Sequence, residues 1–402
     1  MTVTVSIHRI VSLPLSNPNR GMDGLPKTLY YGGVLRSRVS SQCIKAALRH
    51  QFDPGSIGLD ATIRSTVVAQ MRIAPALMKQ GLSEAEAVAT TSTLMALFVA
   101  EKENTAAASG SSAGEEAEEG ETTGKGKTGA KKEHKLETIE ELPTSAPLVL
   151  GEREIEALIE VAYAYAKYGA GHDLRKLFEG KGKDKPPSQL VKAVEALRAI
   201  KTKAGLDGAL FGRMATGVAI SRVDSAVSVS HAMGVGPVQS VADAWTAQDQ
   251  LRETPGAAHI STRELITGVF LLEVFINLDD LRRNIPGLTS DRERALVEMI
   301  IASVLRWQPV AMVGSTAPYA DPGEAMIVIS EGQPLSIARA FERPCEHVTE
   351  IAWKRLVEHA EKMWTRSGRP GIVLALEKEG SVDGLARAAA SAAVAPALAV
   401  AE

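Results

Sequence analysis

The segment 36–49 changes from a strand period to a helix period without a break, and this change restricts the fold more than any other feature of the chain. Arg36 and Arg38 alternate with small and apolar residues, which is typical of a strand and places both arginines on one face. Ser40 or Ser41 then supplies the side-chain oxygen that caps the first turn of a helix. The segment therefore predicts a strand that leads directly into a helix.

The predicted helix carries polar side chains on one face. Gln42, Lys45 and Arg49 have helical spacing and lie on the same side of it. The N-terminus of a helix favours an anion because of its free N–H groups and its dipole. Flanking arginines and a lysine turn this end into a predicted site for the phosphates of a nucleic-acid backbone. The alternative is an ordinary amphipathic helix whose charges are only solvated.

The charge of the N-terminal region favours the phosphate-binding interpretation. Residues 1–50 contain seven basic residues and a single acid, Asp23, so their local charge is about +6, whereas the whole chain has a formal net charge of −3. A basic patch on an acidic protein attracts anions to one surface. The seven are Arg9, Arg20, Lys27, Arg36, Arg38, Lys45 and Arg49.

Composition excludes several other classes of protein. The chain of 402 residues is long enough for more than one lobe. Its two cysteines, Cys43 and Cys345, provide neither a disulfide framework nor the spacing of metal ligands. No apolar stretch is long enough to span a membrane, and the alternating N-terminus is unlike a signal peptide. We therefore expect a cytoplasmic protein with no membrane partner, no metal and no cofactor.

Strand and helix patterns interleave along the chain, which predicts an α+β sheet domain that carries two insertions. The predicted strands lie at 3–7, 222–230 and 269–277, and the predicted helices lie within 56–103 and at 151–168, 188–204, 291–306 and 337–363. Glycine and proline breaks set apart an excursion at 237–258. The segment 101–146 is an insertion of mostly low complexity, which we expect to be mobile, and the alanine-rich tail is expected to be frayed.

Three blocks of residues carry a family pattern. The first contains Asn19-Arg20, Lys27, Gly32-Gly33 and the run from Arg38 to Arg49, the second is Leu210 to Thr216, and the third includes Trp245-Thr246-Ala247. Together they resemble the CasC backbone subunit of type I-E CRISPR surveillance complexes, known as Cascade. The resemblance extends to about residue 345 and is absent over 101–146.

The resemblance implies a particular α+β fold. It is an RNA-recognition-motif-like (ferredoxin-like) palm with a helical fingers insertion and a β-hairpin thumb. The boundaries that follow are 1–55, 205–233 and 259–385 for the palm with its C-terminal helices, 56–204 for the fingers, 234–258 for the thumb, and 386–402 for a flexible tail.

The resemblance also implies a function and a set of partners. The chain would be a noncatalytic subunit that polymerises along the spacer of a CRISPR guide RNA and presents its bases to a target DNA strand. Further partners would be other copies of the chain and the large, small, capping and guide-processing subunits of Cascade.

Particular residues acquire roles from the same resemblance. Loop and helix residues would contact the guide RNA, and Ser40 and Gln42 would reach the 2′-hydroxyl groups that distinguish RNA from DNA. Met214 would insert between bases, with Arg213 on a phosphate. The remaining implied contacts are Asn19, Arg20, Lys27, Arg36, Arg38, Lys45, Arg49, Trp245 and Thr246.

Alternatives remain open at this stage. From the residues alone, Met214 is better explained as a core methionine, and Trp245 is equally well explained as an anchor for its own loop. The chain is alternatively an RNA-guided ribonuclease that uses Asp23, or a generic binder of single-stranded RNA.

Overall fold

The alternation at the start of the chain forms a long strand, Val3–Ser16, whose side chains are mostly buried in the computed structural model. The structure describes residues 2–98, 138–142, 147–181, 185–248, 251, 257–369 and 371–395. Within them the chain divides into a sheet unit, Met1–Gly58 with Ser225–Glu402, and a helical unit, Leu59–Asp224. The α+β class expected from the sequence is therefore confirmed.

The described strands and α-helices are numbered in chain order. The strands are β1 (Val3–Ser16), β2 (Thr28–Tyr31), β3 (Val34–Val39), β4 (Thr62–Ser65), β5 (Leu148–Gly151), β6 (Val227–Val229), β7 (Ala232–Gly234), β8 (Gln239–Gln248), β9 (Ala257–Asn277), β10 (Glu324–Glu331) and β11 (Gly371–Ala375). The helices are α1 (Ser41–Arg49), α2 (Ala74–Lys79), α3 (Glu84–Met95), α4 (Glu152–Tyr168), α5 (Leu174–Glu179), α6 (Ser188–Ala199), α7 (Gly205–Phe211), α8 (Leu278–Asn284), α9 (Ser290–Arg306), α10 (Val313–Thr316), α11 (Thr349–Ser367), α12 (Leu376–Glu379) and α13 (Val382–Ala393).

The sheet unit is built on one antiparallel sheet of nine described strands. Its path is β11-β10-β1-β9-β7-β3-β2, and β6 and β8 also pair with β9. β1 lies between β10 and β9, and its neighbouring residues face opposite sides of the sheet. Ile10 contributes to a core that includes Leu356 of α11, whereas Arg9 donates to the carbonyl oxygens of Val304 and Trp307 at the end of α9.

The excursion predicted at 237–258 is a β-hairpin. β8 pairs with the first part of β9, from Gln239 opposite Thr267 to Gln248 opposite Ala257. β9 then continues as the apolar strand that the sequence predicted up to Asn277. Residues 249–250 and 252–256 of the expected thumb lie outside the described residues.

The alanine-rich tail is a correction to the sequence analysis. Residues 386–393, which we expected to be flexible, belong to α13 and pack against α9 through Ala386, Ala389 and Ala393, which are buried. Alanine is the strongest helix former and loses no side-chain entropy when it is buried. Because the tail has the composition of a low-complexity segment, its closely packed helix was not predicted.

The helical unit has its own apolar core. Its α-helices surround buried residues such as Leu77, Leu158 and Leu190, and a small sheet joins β4 to β5. Residues 205–224, which the resemblance assigned to the palm, belong to this unit. A hydrogen bond connects the start of α7 to the rest of the helical unit, since the N–H group of Leu206 donates to the carbonyl oxygen of Asp60 at 3.0 Å.

The expected insertion at 101–146 lies largely outside the described residues, which retain only 138–142 of it. These include a short 3-10 helix, Ile139–Glu141. Across the described part of the chain, no helix combines the length and the apolar character that a membrane span requires.

A buried acid–base pair joins the two central strands. His8 of β1 lies opposite Glu273 of β9, and their side chains are 3.0 Å apart from Nδ1 to Oε1. Glu273 also accepts hydrogen bonds from the Ser336 hydroxyl at 2.6 Å and the Ile337 N–H group at 2.8 Å. Burial alone would raise the pKa of Glu273, but these hydrogen bonds together hold it below its usual value.

We expect Glu273→Gln to lower the free energy of unfolding by about 3 kcal/mol at neutral pH, because His8 then loses a charged partner in the core. The folded-state pKa of Glu273 lies below its unfolded value, so its contribution is complete above the unfolded value of about 4.3. The contribution disappears as the pH falls through the lower folded-state value.

Urea unfolding of both proteins at pH 7 and at the lowest pH that preserves the fold measures this difference. Glu377→Gln, at an exposed position, is the control. A difference between Glu273→Gln and wild type that stays the same at both pH values would contradict the assignment.

Candidate nucleic-acid interface

The strand-to-helix segment has the structure that its sequence predicts. β3 ends at Val39, and Ser40 is the N-cap of α1, with its Oγ accepting from the Cys43 N–H group at 3.4 Å. Ile44 and Leu48 are buried and fix the helix to the sheet unit. The N-terminal end of α1 thereby has a fixed position.

The loop after β1 folds back onto this junction. The Asn19 side-chain oxygen accepts from the Ser40 N–H group, and the Lys27 N–H group donates to the Asn19 carbonyl oxygen, each at 2.9 Å. The Arg38 N–H group in turn donates to the Lys27 carbonyl oxygen at 2.9 Å. A continuous set of hydrogen bonds therefore connects this loop to the end of β3 and the start of α1.

Arg38 is held beside a histidine that the sequence analysis did not include in the site. Its Nε donates to the Thr28 carbonyl oxygen at 2.9 Å, and its Nη1 lies 2.9 Å from Nδ1 of His231. Arginine only donates, so this ring nitrogen accepts and the ring is neutral. Partial burial is the first cause that lowers the pKa of His231, followed by the charges of Arg38 and Lys27.

We call these residues and the polar face of α1 the cradle. Arg20, Gln42 and His231 are exposed, and the other side chains of the cradle range from half-buried to buried. The Ser40 hydroxyl is buried as the helix cap, so Gln42 is the better placed of the two for a 2′-hydroxyl group. The cradle consists of Asn19, Arg20, Lys27, Arg38, Ser40, Gln42, Lys45, Arg49 and His231.

Arg36 is a correction to the predicted phosphate site. Its guanidinium group is buried and donates to carbonyl oxygens, among them those of Tyr31 at 2.9 Å and Phe341 at 2.7 Å. Desolvation is the first cause that lowers its pKa. The alternation of β3 placed Arg36 and Arg38 on one face, but a segment from the C-terminal part of the chain covers only Arg36. Arg9, counted in the basic patch, is buried as well.

Arg213 and Met214 are neighbours with opposite environments in the helical unit. Arg213 is buried and forms a two-point ion pair with Glu154, with Nη1 to Oε2 at 2.6 Å and Nη2 to Oε1 at 3.0 Å. The expectation that Arg213 contacts a phosphate is therefore corrected, since its donors face the interior. Met214 is 90% exposed, which rules out the core methionine that the residues alone favoured.

The hairpin places Trp245 and Thr246 on opposite faces. Trp245 pairs with Ser261, and its ring lies 5.0 Å from the ring of His259, centroid to centroid, with a tilt of 48°. The Trp245 side chain is still 40% exposed, so it is not an anchor buried in its own domain. Because Trp245 and Thr246 face opposite ways, one flat ligand on one face contacts only one of them.

Asp23, the candidate catalytic residue, lies in the exposed part of the loop. Its Oδ1 accepts from the Leu25 N–H group at 3.0 Å, which shapes a tight turn. Among the described residues, no cluster of three or more histidine, cysteine, aspartate or glutamate side chains has an arrangement that could hold a metal ion.

A family profile described as "CT1975-like protein" matches residues 5–395. The chain belongs to this family. The resemblance to the CasC backbone subunits is thereby confirmed. Comparison with curated proteins gives no match for this CT1975-like protein.

Solved structures resemble this CT1975-like protein over almost its entire length. One chain, from a "CRISPR RNA-guided surveillance complex, pre-nicking", is 26% identical, with 98% of this chain and 99% of that chain covered and a TM-score of 0.70. Another, from a "CRISPR RNA-guided surveillance complex", is 24% identical, with 98% and 100% covered and a TM-score of 0.61. The second similarity supports the fold alone.

We expect substitutions of Arg213 and Met214 to differ sharply in their effect on stability. Arg213→Met should lower the free energy of unfolding by about 3–5 kcal/mol, because it leaves Glu154 buried without its cation. Met214→Ala should change it by less than about 0.5 kcal/mol, because the side chain is exposed. Urea unfolding curves measure both, and a similar loss in the two variants would contradict the assigned environments.

Proposed function

We propose that this CT1975-like protein is a noncatalytic subunit that binds guide RNA in a CRISPR surveillance complex. Several copies lie along the spacer of one guide RNA in a type I-E-like Cascade arrangement. The guide bases then pair with the target DNA strand. The protein contacts the backbone and shape of the RNA, and base pairing supplies the sequence specificity.

The observation that carries this proposal is the cradle. It combines the N-terminal end of a helix that lacks acidic residues in its first turn with cations on the adjoining loop and strand. Such an arrangement suits a phosphate, because the N-terminus of a helix and nearby positive charges both attract an anion. The similarity to a chain of an RNA-guided complex at 26% identity supports RNA as the source of the phosphate.

In this proposal, the palm, fingers and thumb of CasC proteins each correspond to a described part of the chain. The nine-stranded sheet supplies the RNA-recognition-motif-like palm, the helical unit supplies the fingers, and β8 with the first part of β9 supplies the thumb. Met214 inserts between guide bases, where its flexible and polarizable side chain fills an irregular gap. The ring of Trp245 offers a face for a base or a neighbouring copy, and base stacking contributes about 1–3 kcal/mol.

Assembly follows from a contact between different surfaces of successive copies. Such a head-to-tail contact does not close on itself and generates a helical filament, which suits a linear RNA. The further partners in this proposal are the large, small, capping and guide-processing subunits of Cascade. Cleavage of nucleic acid belongs to other components.

The competing ribonuclease is tested at Asp23. The proposal predicts that the wild-type protein bound to guide RNA leaves a complementary RNA intact in the presence of Mg²⁺ or Mn²⁺. Cutting by the wild type that disappears in Asp23→Ala, with guide binding retained, would replace the noncatalytic assignment.

For the cradle, we expect Arg20→Ala and Lys45→Ala each to weaken binding of single-stranded RNA. Each phosphate that a variant no longer neutralises should reduce the slope of log affinity against log salt by about 0.7. Fluorescence anisotropy over a range of salt concentrations measures the slope. Lys378→Ala, at an exposed position elsewhere in the sheet unit, is the control and should leave the slope unchanged. Unchanged slopes in both cradle variants would remove the cradle from the proposal.

A further inference from the structure

A second concentration of positive charge lies on α11, a helix that contributes no residue to the cradle. Basic side chains follow one another along this helix at intervals of three or four residues and therefore form a stripe on one side. The buried residues Ala352, Leu356 and Ala360 lie on an adjacent side and hold the helix against the sheet. The residues of the stripe are Arg355, His359, Lys362 and Arg366.

Two more arginines face this stripe across a cleft. Arg339 lies on the 3-10 helix Ala338–Phe341, and Arg343 comes two residues after the end of that helix. With Arg355, His359 and Lys362 they line a space of about 330 Å³. Basic side chains thus reach the cleft from two separate elements.

The wall of the cleft that carries Arg339 and Arg343 is fixed by contacts with the β2–β3 hairpin. The Arg36 Nη2 donates to the Phe341 carbonyl oxygen at 2.7 Å, and Phe341 is buried. Gly32, which has a φ of +61°, approaches so closely that an added Cβ would lie 1.6 Å from the Glu342 carbonyl oxygen. The cleft is therefore preorganised rather than formed by loose side chains.

The positive charges of the cleft are only partly neutralised. Glu342 pairs with Arg339 at 3.2 Å, and Glu358 is the other acid in the lining. Arg343, Lys362 and Arg366 form no ion pair with any residue in the described part of the chain. An excess of positive charge therefore remains for a ligand.

His359 lies among these charges. Its partial burial is the first cause that lowers its pKa, and nearby cations lower it further. The cations that act on it are Arg339, Lys362, Arg366 and Arg355. A bound anion would reverse part of this effect and raise the pKa of His359.

We infer that this cleft and stripe form a second site for the sugar–phosphate backbone of a nucleic acid. The stripe from Arg355 to Arg366 is about 16 Å long at 1.5 Å per residue. One strand of a DNA duplex carries a phosphate for about every 3.4 Å of helix axis, so several phosphates fit along the stripe. Guanidinium groups match phosphates with paired hydrogen bonds.

The site is separate from the cradle and goes beyond the proposed function. The cradle uses the loop after β1 and the start of α1, whereas the new site uses α11 and the turn before it. The two sites share no residue, so substitutions can test them separately.

The test compares two double variants with the same change in net charge. Lys362→Glu with Arg366→Glu reverses the stripe. Lys354→Glu with Lys378→Glu is the matched control, since Lys354 is an exposed residue on a different side of α11 and Lys378 is exposed on α12. Thermal unfolding of all three proteins checks that the fold is retained.

The probe is a short labelled DNA duplex, added to protein that has been saturated with unlabelled single-stranded RNA. We expect the stripe variant to bind the duplex at least 10-fold more weakly than wild type, with a salt slope lower by about 0.9 for each phosphate that it no longer neutralises. The control should stay within about twofold. Competition by further RNA or by unlabelled duplex distinguishes the two sources of the backbone.

Several results would overturn the inference. Equal losses in the two double variants would show an effect of net charge alone, and unchanged binding in the stripe variant would exclude the site. Loss of binding to poly-glutamate without loss of binding to the duplex would assign the cleft to an acidic protein. Arg20→Ala and Lys45→Ala, measured in parallel, test the cradle separately, because they should retain duplex binding at α11.

Discussion

A buried guanidinium group needs hydrogen-bond acceptors on every side, and this constraint positions surfaces that we propose to bind nucleic acid. Arg36 draws carbonyl oxygens from Tyr31 and Phe341 around itself and fixes the turn before α11 to the sheet. Arg213 binds Glu154 inside the helical unit and leaves Met214 projecting into solvent. In the sheet unit, a buried arginine fixes the turn that precedes α11. In the helical unit, a buried arginine lies next to an exposed methionine.

The same constraint explains why the charge near the N-terminus was only partly available for binding. Two of the seven basic residues in 1–50, Arg9 and Arg36, are internal anchors, and burial lowers the pKa of Arg9 to about 10. Arg9 therefore keeps its charge at neutral pH and donates to carbonyl oxygens at the end of α9. The remaining basic residues of the region supply the cradle, which retains positive charge without the two anchors.

Local patterns predicted the local structure well. The capped helix at Ser40, the apolar strand ending at Asn277 and the excursion before it follow from periodicity and from glycine and proline breaks, whereas the hairpin form of the excursion came from the family resemblance. Long-range packing was beyond the sequence, because alternation shows which residues share a face but not what covers that face. Arg36 was misassigned and His231 was left out of the site for this reason. Alanine-rich α13 was missed because small residues give a weak apolar signal.

In the proposed assembly, many copies of one chain bind a single guide RNA at a regular interval. Native mass spectrometry of the protein mixed with guide RNAs that lengthen by one nucleotide at a time tests it most directly. The proposal predicts that copies are added stepwise, with a constant number of nucleotides between successive additions. A single copy per RNA at every length would contradict it and would leave a generic binder of single-stranded RNA.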